Sequence, residues 1–207
     1  NKFQPVYISK KLRIIPEWSK DMHFQGKTVI INPGLGFGTG SHPTTQLCLK
    51  WIEKNVNSNS TVLDYGSGSG ILSIASKMYG ANFVEGVEID DKAMENAKQN
   101  NKLNDVTINY HYSKTFKTNK KYNIILANIL LPTLIELSPL FKKLAQKKVV
   151  ISGILSSQKD FLIESYDWIE MKEIDRIDEW VLIRAPALPS ARAGRSARAA
   201  RSATPCR

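Results

Sequence analysis

The sequence predicts an α/β fold: a doubly wound, mostly parallel sheet covered by helices on both faces, with an antiparallel hairpin at one edge. Three observations carry this. From Thr61 onward, short β-prone runs alternate with longer runs of helical period, the pattern of successive βαβ units. A Gly-rich turn, residues 64–70, joins the first of these strands to the first helix, and sheets of this kind meet their ligands at the carboxyl ends of strands. Two strand-like runs close the pattern with no helix between them, a spacing that suits an antiparallel pair rather than a parallel one.

The elements follow in chain order. Residues 1–32 hold short apolar runs, Val6-Tyr7-Ile8, Leu12-Arg13-Ile14 and Val29-Ile30-Ile31, which read as small strands or an extended linker. Residues 33–45 are rich in Gly, Pro, Ser and Thr and read as a loop. Pro43 fits the first turn of a helix with Ser41 or His42 as its cap. That helix would bury Leu47, Trp51 and Ile52 on one face. After a polar loop at 55–60, strands are predicted at 62–63, 83–89, 106–112, 122–128 and 149–152. Helices are predicted at 71–78, 91–103, 132–145 and 156–166. Residues 168–174 and 180–183 form the closing strands.

Composition narrows the function classes. The chain has 207 residues, 42% of them hydrophobic, enough for one domain with a proper core and too apolar for a disordered chain. No apolar run approaches the roughly 18 residues that a membrane-spanning helix needs, so no membrane partner is expected. Two cysteines exclude a disulfide scaffold. The net charge of +10 is unevenly spread: residues 185–207 carry five Arg and eight Ala with no acid or Lys, leaving +5 on the first 184 residues. The body favours Lys, Asn and Ile. The end is therefore expected to be a foreign, disordered Ala/Arg-rich tail. The lysine pairs at 142–143 and 147–148 read as a solvated face rather than a nucleic-acid contact, and no stable nucleic-acid binding is expected.

The turn Asp64-Tyr65-Gly66-Ser67-Gly68-Ser69-Gly70 carries the chemistry. Glycines there let the backbone approach a ligand, and the next helix presents unpaired N–H groups. Glu88 follows Gly66 by 22 residues, at the end of the second strand. An acid about 20 residues on binds a ribose diol in nucleotide folds. A dinucleotide fingerprint would need glycine at 71, where the chain has Ile71. Asp64 also suits an α-amino group held indirectly. Both points favour S-adenosylmethionine over NAD. His42 beside Pro43 reads as a cap rather than a base. His23 and His111 lack metal-ligand spacing, so no metal is expected. Cys48, Trp18, Trp51 and Trp168 read as packing, and Trp180 as a buried strand residue before an acceptor-channel residue.

Residues 32–45, Asn32-Pro33-Gly34-Leu35-Gly36-Phe37-Gly38-Thr39-Gly40-Ser41-His42-Pro43-Thr44-Thr45, resemble the signature loop of the ribosomal protein L-eleven methyltransferases, the PrmA family. The turn at 62–72, Gly86-Val87-Glu88-Ile89-Asp90, Leu126-Ala127-Asn128-Ile129-Leu130, Ser152-Gly153-Ile154-Leu155 and Glu179-Trp180 resemble further motifs of that family in order and spacing. Gly36, Ser67 and Glu88 stand where the family usually has Ala, Cys or Thr, and Asp.

The resemblance implies a seven-stranded class I methyltransferase fold, Rossmann-like, with S-adenosylmethionine as cofactor. It implies methylation of lysine and N-terminal amino groups of a large-subunit ribosomal protein in the cytoplasm; a monomer is expected. Cofactor contacts carry over to Thr45, Gly66, Glu88 and Asn128. With Asp64, Gly68 and Gly70 from the turn they form the expected binding set, and Asn128 is also the candidate catalytic residue. A lid is expected from the four glycines at 34–40, with Phe37 over the cofactor. The family carries a recognition domain ahead of this region, so residues 1–32 are expected to be a linker and remnant of it, and 33–184 the catalytic domain. Three alternatives remain open: the same fold acting on another protein, RNA or a small amine; a NAD-dependent oxidoreductase; and a cofactor-binding fragment without catalysis.

Overall fold

A computed structural model describes residues 4–19, 23–33 and 39–185. Three short strands come first: β1 (Val6–Tyr7), β2 (Leu12–Pro16) and β3 (Lys27–Ile31). They form their own sheet, with β1 antiparallel to β2 and β2 parallel to β3. After α1 (Pro43–Asn55) the alternating part runs β4 (Thr61–Tyr65), α2 (Ile71–Met78), β5 (Phe83–Glu88), α3 (Asp91–Leu103), β6 (Asn109–Tyr112), β7 (Tyr122–Asn128), α4 (Leu131–Leu144), β8 (Ala145–Leu155), α5 (Lys159–Ser165), β9 (Lys172–Ile177) and β10 (Trp180–Arg184). These strands make one seven-stranded sheet in the order β6-β5-β4-β7-β8-β10-β9. Parallel pairing runs from β6 to β8, and β10 is antiparallel to both β8 and β9.

The order reverses between β4 and β7. Chain growth proceeds outward from β4 to β6 and then outward from β7 to the edge hairpin, so the two halves diverge at the carboxyl ends of these neighbours and leave a crevice there. Each face of the sheet has its own core. One buries Leu47, Cys48, Trp51 and Ile52 of α1 and Ile71, Leu72 and Ile74 of α2 together with Ile14, Val29 and Ile31. The other buries Leu134 and Phe141 of α4, Leu162 of α5 and Tyr166 against Ile125, Ile151 and Val181. The segment at 6–31, read as strands or linker, thus shares a core with the alternating part, because Ile14, Val29 and Ile31 supply apolar surface that α1 and α2 need to cover.

Helix α3 docks differently. Its buried residues are Asn96, Ala97, Asn100 and Asn101. Asn104 Oδ1 accepts from Ile30 N at 2.8 Å and its Nδ2 donates to Ile30 O at 2.6 Å. Asn100 Oδ1 accepts from Asn32 N at 2.8 Å while its Nδ2 donates to Ser69 O at 2.9 Å. Side-chain amides here satisfy the open edge of β3 and the Gly-rich turn, where an apolar face would leave backbone groups unpaired.

Several boundaries move from the sequence expectation. β8 begins at Ala145, directly after α4, because exposed Gln146 and Lys147 hide a strand whose apolar part starts at Val149. β6 begins only at Asn109, since the backbone at Val106 and Ile108 bonds Asn101 at the end of α3. The predicted strand at 168–174 is a turn as far as residue 170. Trp168 Nε1 donates to Ser138 Oγ at 3.0 Å, and β9 starts at Lys172. The last helix is split into a 3-10 turn, Ser156–Gln158, and α5. The glycines at 34, 36 and 38, Phe37 and the tail from 186 lie outside the described residues.

Candidate cofactor and acceptor site

A cavity of about 770 Å³ opens at the carboxyl ends of β4, β5 and β7, within the size range of small-molecule sites. Its apolar walls include Tyr65, Ile71, Leu72, Val87, Ile129, Leu130 and Leu137. Polar groups reach it from the start of α1, the Gly-rich turn, the end of β5, the residue after β6, the end of β7 and the first turns of α4.

The turn after β4 is held by β5. Gly66 N and Ser67 N both donate to Val87 O, at 2.8 and 3.0 Å. Gly66 has φ +79°, and a Cβ there would lie 2.2 Å from Ile129 Cγ2, so glycine is required on both counts. Glu88 sits at the end of β5, 8% exposed. Its Oε1 accepts from Ile89 N at 2.7 Å and Asp90 N at 3.1 Å, and its Oε2 from Gly68 N at 2.7 Å. A carboxylate offers about four lone-pair positions. One therefore remains for a hydroxyl, and a second opens only when the Gly68 N–H swings away. The acid is rigidly aimed, and a ribose diol would compete with the turn for it.

Asp64 is placed elsewhere. It is 1% exposed, lies beneath the turn and does not border the cavity. Its Oδ2 accepts from Ser73 N at 3.0 Å and Ser73 Oγ at 2.6 Å, tying β4 to the first turn of α2. Burial pushes its carboxyl up to about 6, against the Ser73 hydrogen bonds and with the Glu88 charge adding. Its Oδ1 is buried without a partner. Gly70 is likewise off the cavity: it caps α2, and a Cβ there would lie 2.4 Å from Tyr110 Oη. Of the seven residues expected to bind cofactor, the structure brings Thr45, Gly66, Gly68, Glu88 and Asn128 to one cavity. Asp64 and Gly70 lie behind it.

At the opposite wall, α1 begins with Pro43 and is capped by His42, whose Nδ1 accepts from Thr44 N at 3.3 Å. Thr45, in the first turn, is 1% exposed, and its N–H belongs to the first amides that a helix leaves unpaired. Its Oγ1 accepts from Asn128 Nδ2 at 3.3 Å. That bond fixes which way the amide faces: Nδ2 is engaged by α1, and Oδ1 is buried without a partner. Ser67 Oγ, also on the cavity, is a second buried polar atom without a partner. Orphaned polar atoms of this kind are costly. Two of them on one mostly apolar cavity fit a ligand that carries both donors and apolar surface.

Sequence reasoning missed several lining residues. Trp180 opens β10 and borders the cavity rather than being buried in its strand, with the His42 ring edge-on at 4.7 Å between centroids. Ser113, just after β6, was findable as the residue at a strand's carboxyl end. Thr133 and Glu136 project from α4 onto the cavity, and no local pattern marks them. Glu136 is exposed. Among the described lining residues the only acidic side chains are Glu88 and Glu136, and no Lys or Arg is present.

A family model described as ribosomal protein L11 methyltransferase (PrmA) matches residues 1–187. A protein of that name from Dechloromonas aromatica is 41% identical over 186 residues, which is 88% of this chain and 62% of the relative. Another, from Methylobacillus flagellatus, is 38% identical over 88% of this chain and 63% of its own length. The chain thus spans about three-fifths of the length of these curated relatives. The crystal structure of a ribosomal protein L11 methylase from Lactobacillus delbrueckii subsp. bulgaricus superposes with a TM-score of 0.79 at 29% identity, over 89% of this chain and 99% of that one. With the family model matching residues 1–187 and a relative 41% identical over 88% of its length, the chain belongs to the ribosomal protein L11 methyltransferase family.

Proposed function

We propose that residues 33–184, together with the strands that precede them, form the catalytic domain of a protein N-methyltransferase. It would use S-adenosylmethionine to methylate lysine and N-terminal amino groups of ribosomal protein L11, as a cytoplasmic monomer with no stable nucleic-acid binding. The observation that carries the reading is the Asn128 amide. Its nitrogen is held by Thr45 and its unpartnered oxygen belongs to a residue on the cavity wall.

The cofactor fits the residues present. Glu88 would hold ribose hydroxyls, Gly66 and Gly68 let the backbone approach, and the first turn of α1 with Thr45 would face the carboxylate. When bound, S-adenosylmethionine supplies a methyl group activated by a sulfonium. The chain's own work is positioning and desolvation. An acceptor amine reacts only as the free base, and lysine has an ordinary pKa of about 10.4. Walls such as Ile129, Leu130 and Leu137 disfavour the ammonium form. Asn128 Oδ1 would accept an N–H from the amine and so aim its lone pair. Glu136, in a lining without Lys or Arg among the described residues, supports a cationic acceptor over a polyanion such as RNA.

Label transfer tests this directly. With methyl-labelled S-adenosylmethionine, the chain should label purified L11, and Asn128→Ala should lower the rate by about a hundredfold. Label on ribosomal RNA instead of L11 would replace the acceptor assignment. Thermal stabilisation by NAD but not by S-adenosylmethionine would overturn the cofactor.

A further inference from the structure

We propose that Gly153 is a positioning residue for methyl transfer: it lets β8 clasp the Ile129 peptide and thereby sets the direction of the Asn128 amide. The inference rests on the reading above. Gly153 lies in β8, one residue beyond the Asn128–Ser152 pair, and borders the cavity. It has φ +87°, and a Cβ there would lie 2.4 Å from Ile129 O, 2.7 Å from Ile129 N and 2.9 Å from Ile129 C. Those atoms are backbone, so no rotamer change can relieve the overlap. On the other side the Ile129 side chain, through Cγ2, closes over Gly66. The residue after Asn128 is therefore gripped between β8 and the turn after β4, at two glycines.

The grip matters because the rest of the support is thin. β7 ends at Asn128, so no further ladder hydrogen bonds fix the chain there. The side chain itself is held by a single bond to Thr45, at the long end of the range at 3.3 Å. A side chain at 153 would displace the Ile129 peptide and turn Asn128 with it, while Glu88, held by the N–H groups of Ile89, Asp90 and Gly68, keeps its place.

Gly80 supplies the control. It has φ +96°, so alanine there is strained in the same way, but its Cβ would meet nothing nearer than Ser58 N at 3.7 Å. The experiment compares binding of S-adenosylhomocysteine and sinefungin by calorimetry. Sinefungin carries an amine at the position of transfer, so its advantage over S-adenosylhomocysteine reads the acceptors there without any turnover. The unaltered chain should prefer sinefungin by about tenfold. Gly153→Ala should cut the preference to less than about threefold, while S-adenosylhomocysteine affinity changes by less than about threefold. Gly80→Ala should keep the preference whole. Ile129→Gly loosens the same peptide without adding an atom, so it tests the grip even if Gly153→Ala fails to fold, and it should lower the preference too.

A preference unchanged in Gly153→Ala or in Ile129→Gly, or lost equally in Gly80→Ala, overturns the inference alone. So does an unaltered chain that binds both analogues equally. Failure of the unaltered chain to bind either analogue overturns the methyltransferase reading and this inference with it.

Discussion

Two polar clusters on the same sheet are finished in opposite ways. Around Glu85, in the middle of β5, every donor is answered. Tyr122 Oη donates to Oε2 at 2.5 Å, Lys120 Nζ donates to Oε1 at 2.9 Å, and His111 Nε2 lies 3.1 Å from Oε1. Burial pushes the Glu85 carboxyl up, but these hydrogen bonds outweigh it and hold it below the usual range. At the carboxyl ends of the same strands, Asp64 Oδ1, Ser67 Oγ and Asn128 Oδ1 are buried with nothing to bond, and burial wins at Asp64. Around Glu85 the polar groups are closed among themselves, between neighbouring strands. On the cavity the fold leaves Ser67 and Asn128 each with a polar atom that a ligand can complete, while Asp64 Oδ1, behind the cavity, stays unpaired.

The comparison predicts separable losses. The largest is at the closed cluster: Glu85→Ala leaves the buried Tyr122 hydroxyl without its charged acceptor and should cost about 3 kcal/mol of stability in urea unfolding. S-adenosylmethionine affinity should change by less than about threefold. A parallel fall in affinity would erase the distinction between the clusters.

Asp64 comes next. Its folded pKa of about 6 lies above the ordinary value of 3.8, so the folded state binds more protons than the unfolded chain between those values, and stability falls as pH rises through that window. Asp64→Asn removes this term. Relative to the unaltered chain, the variant should gain up to about 3 kcal/mol between pH 4 and pH 7. A flat difference would show that Asp64 is as well satisfied as Glu85.

At the open cluster, Glu88→Ala should lower cofactor affinity about thirtyfold, near 2 kcal/mol, by calorimetry. The effect is bounded because three of its acceptor positions already serve backbone N–H groups. The smallest effect is at the rim. Glu136→Gln should raise the KM for a lysine-bearing L11 peptide about threefold at low salt and leave S-adenosylmethionine affinity unchanged. Equal KM values at low and high salt in both proteins would remove Glu136 from acceptor attraction.

Much of this was legible locally. Helices 71–78 and 91–103 and the strand 122–128 fall at the expected residues, because each carries its own period and its own stop signals. The turn was legible from its glycines and from the spacing to Glu88, which a crossover of fixed length dictates. Elements whose reason for existing lies in a partner were not. Gln146 and Lys147 belong to β8 only because Ala145 and Lys148, on either side of them, pair with Tyr122 and Ile124 of β7 across a register shift. Trp168 looks like a strand residue until Ser138 claims its N–H.

The sequence by itself determined the fold class, the order of strands and helices, the turn with its acid, and the family. Those are properties of short windows, in which side-chain period and glycine placement act within one segment. Only the tertiary structure decided that Asp64 and Gly70 stand behind the cavity, that Glu88 is already largely engaged, and that Trp180 and Glu136 face the ligand space. It also set Asn128 against Thr45, 83 residues away in the chain, and Gly153 against Ile129. The physical reason is that a site at a switch point is assembled from the ends of elements. Their meeting is fixed by which strands pair and which faces are covered, and no single segment encodes that.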